Sequence, residues 1–78
     1  MNVKVLGSGC ANCQRLAANV QLALEHAGMT AEVEKVEDVA AIMGYGVTAT
    51  PALVVDERVL VSGRVPSPTQ IAALLRGV

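Results

Sequence analysis

Apolar and polar positions alternate in ways that predict a strand, a long helix and a second strand in the first half of the chain. Residues 3–6 (VKVL) are typical of a short buried strand, and the following Gly7-Ser8-Gly9 ends it. From Cys13 onward, apolar residues recur at three- and four-residue spacing, which predicts a helix that stops at Gly28. Its apolar stripe consists of Leu16, Ala17, Val20, Leu24 and Ala27. Residues 30–36 (TAEVEKV) alternate between polar and apolar, as strands do.

The third quarter of the chain predicts a short helix and a hairpin. Acidic residues at 37 and 38 favour a helix start, and the glycines at 44 and 46 close this helix. Its apolar positions are Val39, Ile42 and Met43. Residues 51–55 and 59–61 are two apolar runs joined by the polar residues 56–58, which predicts an antiparallel hairpin. Because both runs are almost entirely apolar, we expect the hairpin to be covered on both faces.

The last predicted element is a helix near the end of the chain. Ser67 can cap it, and Pro68 suits its first position. Its inward positions are Ile71, Leu74 and Leu75. The predicted order is therefore β-α-β-α-β-β-α. Strands separated by a helix pair in parallel and a hairpin pairs antiparallel, so the sequence predicts an α/β fold with a mixed sheet and helices on both faces.

Length and composition limit what this fold can be. The 78 residues are enough for one domain, which we expect to span residues 1–78. Six basic residues against seven acidic ones, with no basic cluster, do not favour a nucleic-acid partner. The longest apolar runs are four or five residues, against about 20 for a membrane span, and no signal-peptide pattern is present. We therefore expect a cytoplasmic protein, where a reversible use of cysteine is favoured over a structural disulfide.

Cys10 and Cys13 form a CxxC motif where the first strand gives way to the long helix. Unpaired N–H groups and the helix dipole favour a thiolate at a helix N-terminus, so we expect the pKa of Cys10 to lie below about 8.5. Cys13, one turn later, lies close enough to form a disulfide and is expected to be more covered. This predicts Cys10 as the attacking nucleophile and Cys13 as the resolving cysteine. Gly7 and Gly9 would allow a sharp turn and leave Cys10 open to a bulky protein substrate.

Three other interpretations of the two cysteines compete with a redox role. Both residues would also suit a helix start as small core residues. A closed zinc site needs four ligands, but His26 is thirteen residues after Cys13 on the same predicted helix, roughly 20 Å away. Cu(I) accepts two thiolates, which makes a carrier of Cu(I) or another soft metal the main alternative. Small heavy-metal-associated domains, however, usually have Met where this chain has Ser8, and they end in a strand.

A second motif, residues 48–55 (TATPALVV), places a Thr-Pro pair at the head of the hairpin. Together with CxxC after the first strand and a closing helix, it resembles the thioredoxin family, in particular the minimal redox-active disulfide proteins. The resemblance covers nearly the whole chain and implies a thioredoxin-like fold with a four-stranded sheet. It also implies that Cys10 and Cys13 are the active-site dithiol, that Pro51 is cis and packs against them, and that the backbone of Thr50 pairs with an extended substrate.

This chain departs from full thioredoxins at several positions. Gly9 stands where they have Trp, and residues 11–12 are Ala-Asn where they have Gly-Pro. The buried acid and lysine that tune proton transfer in full thioredoxins have only Lys4 as a candidate counterpart. We expect Tyr45 to cover an edge of the core, and Met29 and Met43 to fill it. The expected activity is reduction or exchange of protein disulfides with no bound cofactor or metal, and with electrons supplied by a thiol or a flavoprotein reductase.

Overall fold

The computed structural model describes residues 1–7 and 11–77. Its elements are β1 (Asn2–Leu6), α1 (Ala11–Ala27), β2 (Glu32–Val36), α2 (Val39–Gly44), β3 (Ala52–Val55), β4 (Arg58–Ser62) and α3 (Pro68–Arg76). The predicted order β-α-β-α-β-β-α is thereby confirmed. The long helix matches its predicted stop, because Gly28 follows it with a φ of +64°, a conformation that glycine adopts without strain.

The four strands form one mixed sheet in the order β2-β1-β3-β4. β1 is parallel to β2 and antiparallel to β3, and β3 is antiparallel to β4. Leu6, the last residue of β1, pairs with Val36 on one side and Ala52 on the other. Gly7 therefore comes to the same end of the sheet as the C-terminal end of β2 and the N-terminal end of β3. We call this the Gly7 end of the sheet.

One face of the sheet packs against α1 and α3. The buried residues on this face form the larger of the two core clusters: Val3, Val5, Leu16, Ala17, Val20, Ala23, Leu24, Leu53, Val55, Val61, Ile71, Ala72 and Leu75. The apolar stripe predicted for α1 is confirmed, with Ala27 partly buried at its end. At α3, a capping box joins Ser67 and Gln70: the Gln70 N–H donates to Ser67 Oγ at 3.2 Å, and the Ser67 N–H donates to Gln70 Oε1 at 3.0 Å.

The opposite face packs against α2 through a much smaller cluster. Its buried members are Leu6, Ile42, Ala52 and Val54, with Val36, Tyr45 and Val47 partly buried beside them. The prediction that Met43 fills the core is wrong, because its side chain is 68 % exposed; Val39 on the same helix is 63 % exposed. A helix of six residues makes fewer than two turns, so it directs only Ile42 into the cluster. Helices thus cover both faces, as predicted, but unequally.

The hairpin turn is shorter than predicted. It consists of Asp56 and Glu57 with φ values of +48° and +69°, and Arg58 already belongs to β4. Two-residue turns with positive φ match the twist of paired strands, which explains why the third polar residue joins the strand. All four residues of β3 are buried, as predicted. The same prediction is wrong for β4, an edge strand in which Val59 is 40 % exposed.

Candidate functional site

Cys13 lies in the first turn of α1 and packs against the end of β1. Its side chain is buried, with 6 % of its surface exposed, and its sulfur is disulfide-bonded. A Cβ placed on Gly7 would overlap Cys13 Sγ and would lie 3.3 Å from Cys13 Cβ. Gly7 therefore does more than permit the turn that the sequence predicted. Its lack of a side chain creates the space that the sulfur of Cys13 occupies.

Thr50 also lies beside Gly7 and therefore near Cys13, although Thr50 and Cys13 are far apart in sequence. The Cβ that would overlap the sulfur would lie 3.8 Å from Thr50 Cβ, so both side chains border Gly7. Thr50 is exposed, Pro51 is buried, and the peptide bond between them is cis. The Gly7 end of the sheet thus brings a buried cysteine close to the exposed residue Thr50.

Gly63, the residue after β4, supports this segment, a role that the sequence did not predict. Its N–H donates to the carbonyl oxygen of Pro51 at 2.8 Å. Its φ is +77°, and a Cβ there would lie only 3.1 Å from Ala49 Cβ. The glycine after the last strand was the available signal, but only the fold shows which segment it supports. Gly63 thus holds Ala49 and Pro51 close to the end of β4.

A small cavity opens beside Cys13, on the side of β2. Its volume is about 60 Å³, and it is lined by Val5, Gly7, Cys13, Gln14, Lys35 and Glu37. Lys35 pairs with Val5 in the parallel ladder and so shares the α1 face of the sheet. Lys35 and Glu37 are both exposed, so the cavity connects the buried cysteine with charged groups in contact with solvent. Sequence reasoning missed both residues, because nothing in their local pattern points to Cys13.

Gly9 and Cys10 lie outside the described residues. The expected low pKa of Cys10 and the openness provided by Gly9 stay predictions. In the sequence, Cys10 immediately precedes Ala11, the first residue of α1.

Sequence comparison identifies the family. A profile described as a thioredoxin domain matches residues 1–76. The chain belongs to the thioredoxin family. It is 40 % identical over 75 residues to a thioredoxin of Methanothermobacter thermautotrophicus, covering 96 % of this chain and 97 % of that protein. It is 34 % identical over 74 residues to a thioredoxin of Methanocaldococcus jannaschii, covering 95 % of this chain and 85 % of that protein. At the level of the family, this membership supports a thiol–disulfide oxidoreductase.

Lys4, the candidate counterpart of the lysine in full thioredoxins, lies on the α2 face of the sheet, opposite the face that packs against α1. There it belongs to a network with Tyr45 and Glu57. Its Nζ donates to Tyr45 Oη at 2.7 Å and forms an ion pair with Glu57 Oε1 at 2.9 Å. The Tyr45 hydroxyl donates in turn to Glu57 Oε2 at 3.1 Å. Hydrogen bonds to Glu57 and then to Tyr45 raise the pKa of Lys4, and the hydrogen bond from Lys4 lowers the pKa of Glu57. Lys4 thus links β1 to the end of α2 and the hairpin turn.

Tyr45 packs against the α2-face cluster, which agrees with its expected role at the edge of the core. Among residues 1–7 and 11–77, no group of three or more His, Cys, Asp and Glu side chains is arranged to hold a metal ion. His26 is at the opposite end of α1 from Cys13. Within the same residues, no helix has both the length and the apolar character needed to cross a membrane.

Proposed function

We propose that the protein reduces or exchanges protein disulfides, with Cys10 and Cys13 as its dithiol. The observation that carries this proposal is the position of Cys13. It is almost fully buried, yet its sulfur borders Gly7 beside the exposed Thr50, in a chain of the thioredoxin family. A covered sulfur close to an exposed backbone segment suits a cysteine that acts second, inside an enzyme–substrate intermediate.

The reaction has two exchange steps. The Cys10 thiolate attacks one sulfur of the substrate disulfide, forming a mixed disulfide and releasing the other substrate sulfur as a thiolate. Cys13 then attacks Cys10 of the mixed disulfide, forming the Cys10–Cys13 disulfide and releasing the second substrate thiolate. The substrate gains two electrons and the protein loses two. A thiol or a flavoprotein reductase in the cytoplasm then returns them, and no bound cofactor is required.

Substrate binding is assigned to the segment that precedes β3. Thr50 is exposed and borders Gly7, as the sulfur of Cys13 does, so an extended substrate chain pairing with its backbone would pass close to the dithiol. Pro51 is buried and anchored through its carbonyl by Gly63, which fixes the position of Thr50. Gly9, beside the nucleophile in sequence, is assigned to the same contact surface because it adds no side chain that would block a protein substrate.

The first test measures reduction of insulin disulfides with dithiothreitol as the electron source. We expect the natural protein to accelerate reduction catalytically, with several insulin disulfides reduced per protein molecule. Cys10→Ser is expected to abolish this acceleration. If Cys10→Ser reduces insulin as fast as the natural protein, the assignment of the nucleophile is wrong.

The second test separates the two cysteines by mass spectrometry. Cys13→Ser, incubated with a peptide that carries a single disulfide, is expected to accumulate a mixed disulfide with one half of the peptide on Cys10. The matched control is the double variant Cys10→Ser, Cys13→Ser, which is expected to gain no mass. Absence of an adduct on Cys13→Ser, with the peptide left oxidised, would contradict the two-step reaction.

A further inference from the structure

Two exposed arginines, Arg15 and Arg64, lie on one side of the proposed substrate segment. The sheet order places β3 and β4 on one side of β1 and β2 on the other. We call the part of the Gly7 end that β3 and β4 contribute the β4 side. Arg15 and Arg64 come from different elements of the fold, and the contacts of their neighbours place both of them on this side.

Arg64 is next in sequence to the residue that anchors the substrate segment. The N–H of Gly63 donates to the carbonyl oxygen of Pro51 at 2.8 Å. The backbone that carries Arg64 therefore starts from the hydrogen bond that fixes the position of Thr50. Arg64 is exposed, so a substrate chain that pairs with Thr50 would pass within reach of its long side chain.

Arg15 approaches the same side from α1. Its Nη1 donates to Asn12 Oδ1 at 3.4 Å, and Asn12 directly precedes Cys13, so the guanidinium is held toward the first turn of the helix. Asn19 is one turn beyond Arg15 on the same face of α1, and its Nδ2 donates to the carbonyl oxygen of Pro66 at 3.0 Å. Because Pro66 belongs to the connection between β4 and α3, this face of α1 is directed to the β4 side.

The acidic side chains lie elsewhere in the fold. The seven of them are Glu25 near the end of α1, Glu32 and Glu34 in β2, Glu37 and Asp38 after β2, and Asp56 and Glu57 in the hairpin turn. The hairpin turn is at the other end of the sheet, since the Asp56 N–H donates to the carbonyl oxygen of Asn2 at the start of β1. The ion pair found among residues 1–7 and 11–77 joins Lys4 to Glu57, so no carboxylate of these residues neutralises either arginine.

We propose that Arg15 and Arg64 select protein disulfides flanked by acidic residues, with a carboxylate of the extended substrate chain drawn to the β4 side of Thr50. The inference rests on the proposed function. The whole chain has a net charge of −1, so its overall charge would weakly repel an acidic substrate. A preference for acidic substrates therefore has to come from the local placement of the two arginines. Both are specificity-determining residues, and neither takes part in the exchange steps.

The preference should appear in the bimolecular step. Complementary charges at an exposed surface speed association more than they tighten a complex, and salt screens them. The relevant quantity is therefore the second-order rate constant for oxidation of the reduced protein by a substrate disulfide, measured at low and at high ionic strength.

The experiment compares three peptide disulfides. Each is a disulfide-linked dimer of a short alanine-rich peptide whose single cysteine is flanked on both sides by Glu, by Gln or by Lys. The reduced protein is mixed with excess peptide, and acid-quenched samples are analysed by mass spectrometry to obtain the rate constant. Each value is divided by the rate constant of dithiothreitol with the same peptide, which corrects for the intrinsic reactivity of the disulfide toward a thiolate.

For the natural protein we expect the corrected rate with the Glu peptide to exceed that with the Gln peptide by about tenfold at about 0.01 M ionic strength, where the Debye length is about 30 Å. The Lys peptide should react more slowly than the Gln peptide. At about 1 M salt, where the Debye length is about 3 Å, the Glu-to-Gln ratio should fall below about twofold.

Arg15→Gln and Arg64→Gln should each lower the Glu-to-Gln ratio by about threefold, and the double variant should bring it close to one. The rate with the Gln peptide should change by less than about twofold in all three variants. The matched control is Arg58→Gln, which removes the same charge from the opposite end of β4 and should leave the ratio unchanged. Arg64→Glu, which reverses the charge, should make the Lys peptide react faster than the Glu peptide.

A Glu-to-Gln ratio of one or less in the natural protein would overturn the proposal. An unchanged ratio in the double variant, an equal loss in Arg58→Gln, or a retained preference for the Glu peptide in Arg64→Glu would contradict it as well. These results differ from a failure of the proposed function. If the natural protein oxidises with none of the peptides and does not reduce insulin, the proposed function is wrong. If it reduces insulin and reacts with all three peptides at equal corrected rates, only the role of the arginines is wrong.

Discussion

The two faces of the sheet are stabilised in different ways. The face against α1 and α3 buries a continuous apolar cluster contributed by three strands and two helices. The face against α2 buries four residues, leaves much of the helix exposed, and adds the network of Lys4, Tyr45 and Glu57. In a chain of 78 residues with a single aromatic side chain, one face supplies most of the hydrophobic stability. The other relies more on charge, so it should respond to pH while the first should not.

The largest difference is expected between core truncations on the two faces. Leu16 is fully buried on the α1 face, and Leu16→Ala should lower the free energy of unfolding by about 4 kcal/mol through lost burial and a residual cavity. Ile42→Ala should cost about 2 kcal/mol, because Ile42 is 8 % exposed and belongs to a smaller cluster that can collapse around the gap. Urea unfolding measures both values. Equal costs would contradict the unequal division of the core.

The contact between Gly7 and Cys13 should give the next largest effect. Gly7→Ala places a methyl group where Cys13 Sγ lies, and we expect a loss of about 2 kcal/mol in the free energy of unfolding. In a Cys13→Ala background the same substitution should cost less, because the sulfur is gone. Gly44→Ala is the control, since a Cβ there meets nothing within 4 Å, and it should change stability by less than about 1 kcal/mol.

The network on the α2 face should make stability depend on pH. Its hydrogen bonds lower the pKa of Glu57, so the stabilisation from Glu57 is present above the unfolded pKa of about 4.3 and is lost as pH falls through the folded value. They raise the pKa of Lys4, so its stabilisation is present below about pH 10.4 and is lost as pH rises through the folded value. Thermal unfolding of Glu57→Gln should therefore differ from the natural protein between these limits and converge with it on acidification. Glu25→Gln, at an exposed position of α1, should show no such convergence.

The smallest effect is expected on the exposed side of α2. Met43 is 68 % exposed, so Met43→Ala should change the free energy of unfolding by no more than about 0.5 kcal/mol. Urea unfolding checks this value against Ile42→Ala on the same helix. A cost as large as that of Ile42→Ala would mean that Met43 is buried in solution.

Sequence patterns predicted the elements best where they are long. α1 has 17 residues, so its three- and four-residue spacing repeats often enough to identify both its buried face and its end. α2 has six, and one turn of apolar residues cannot distinguish Ile42, which is buried, from Met43, which is not. The turn at Asp56 and Glu57 was placed correctly but made one residue too long, because polarity alone does not show that Arg58 joins the strand.

The candidate site was predictable only in part, for a related reason. Local patterns place Cys13 at the start of a helix and Thr50 at the start of a hairpin, but no local pattern shows that both border Gly7. Lys4 was a candidate for tuning proton transfer only because it is a lysine, whereas its position on the α2 face decides which side chains it contacts. Glu37 enters the cavity through the pairing of β2 with β1. Contacts of this kind depend on the register of the sheet and are not contained in any single segment.

The length of α1 has a practical consequence for experiments on immobilised protein. From Cys13 to its end at Ala27, α1 carries the chain about 21 Å away from the sulfur, to a connection in which Thr30 is exposed. A linker attached there would anchor the molecule to a sensor chip or bead by the end remote from its sulfur chemistry. Thr50 would then face the flowing solution, ready for binding measurements with large analytes.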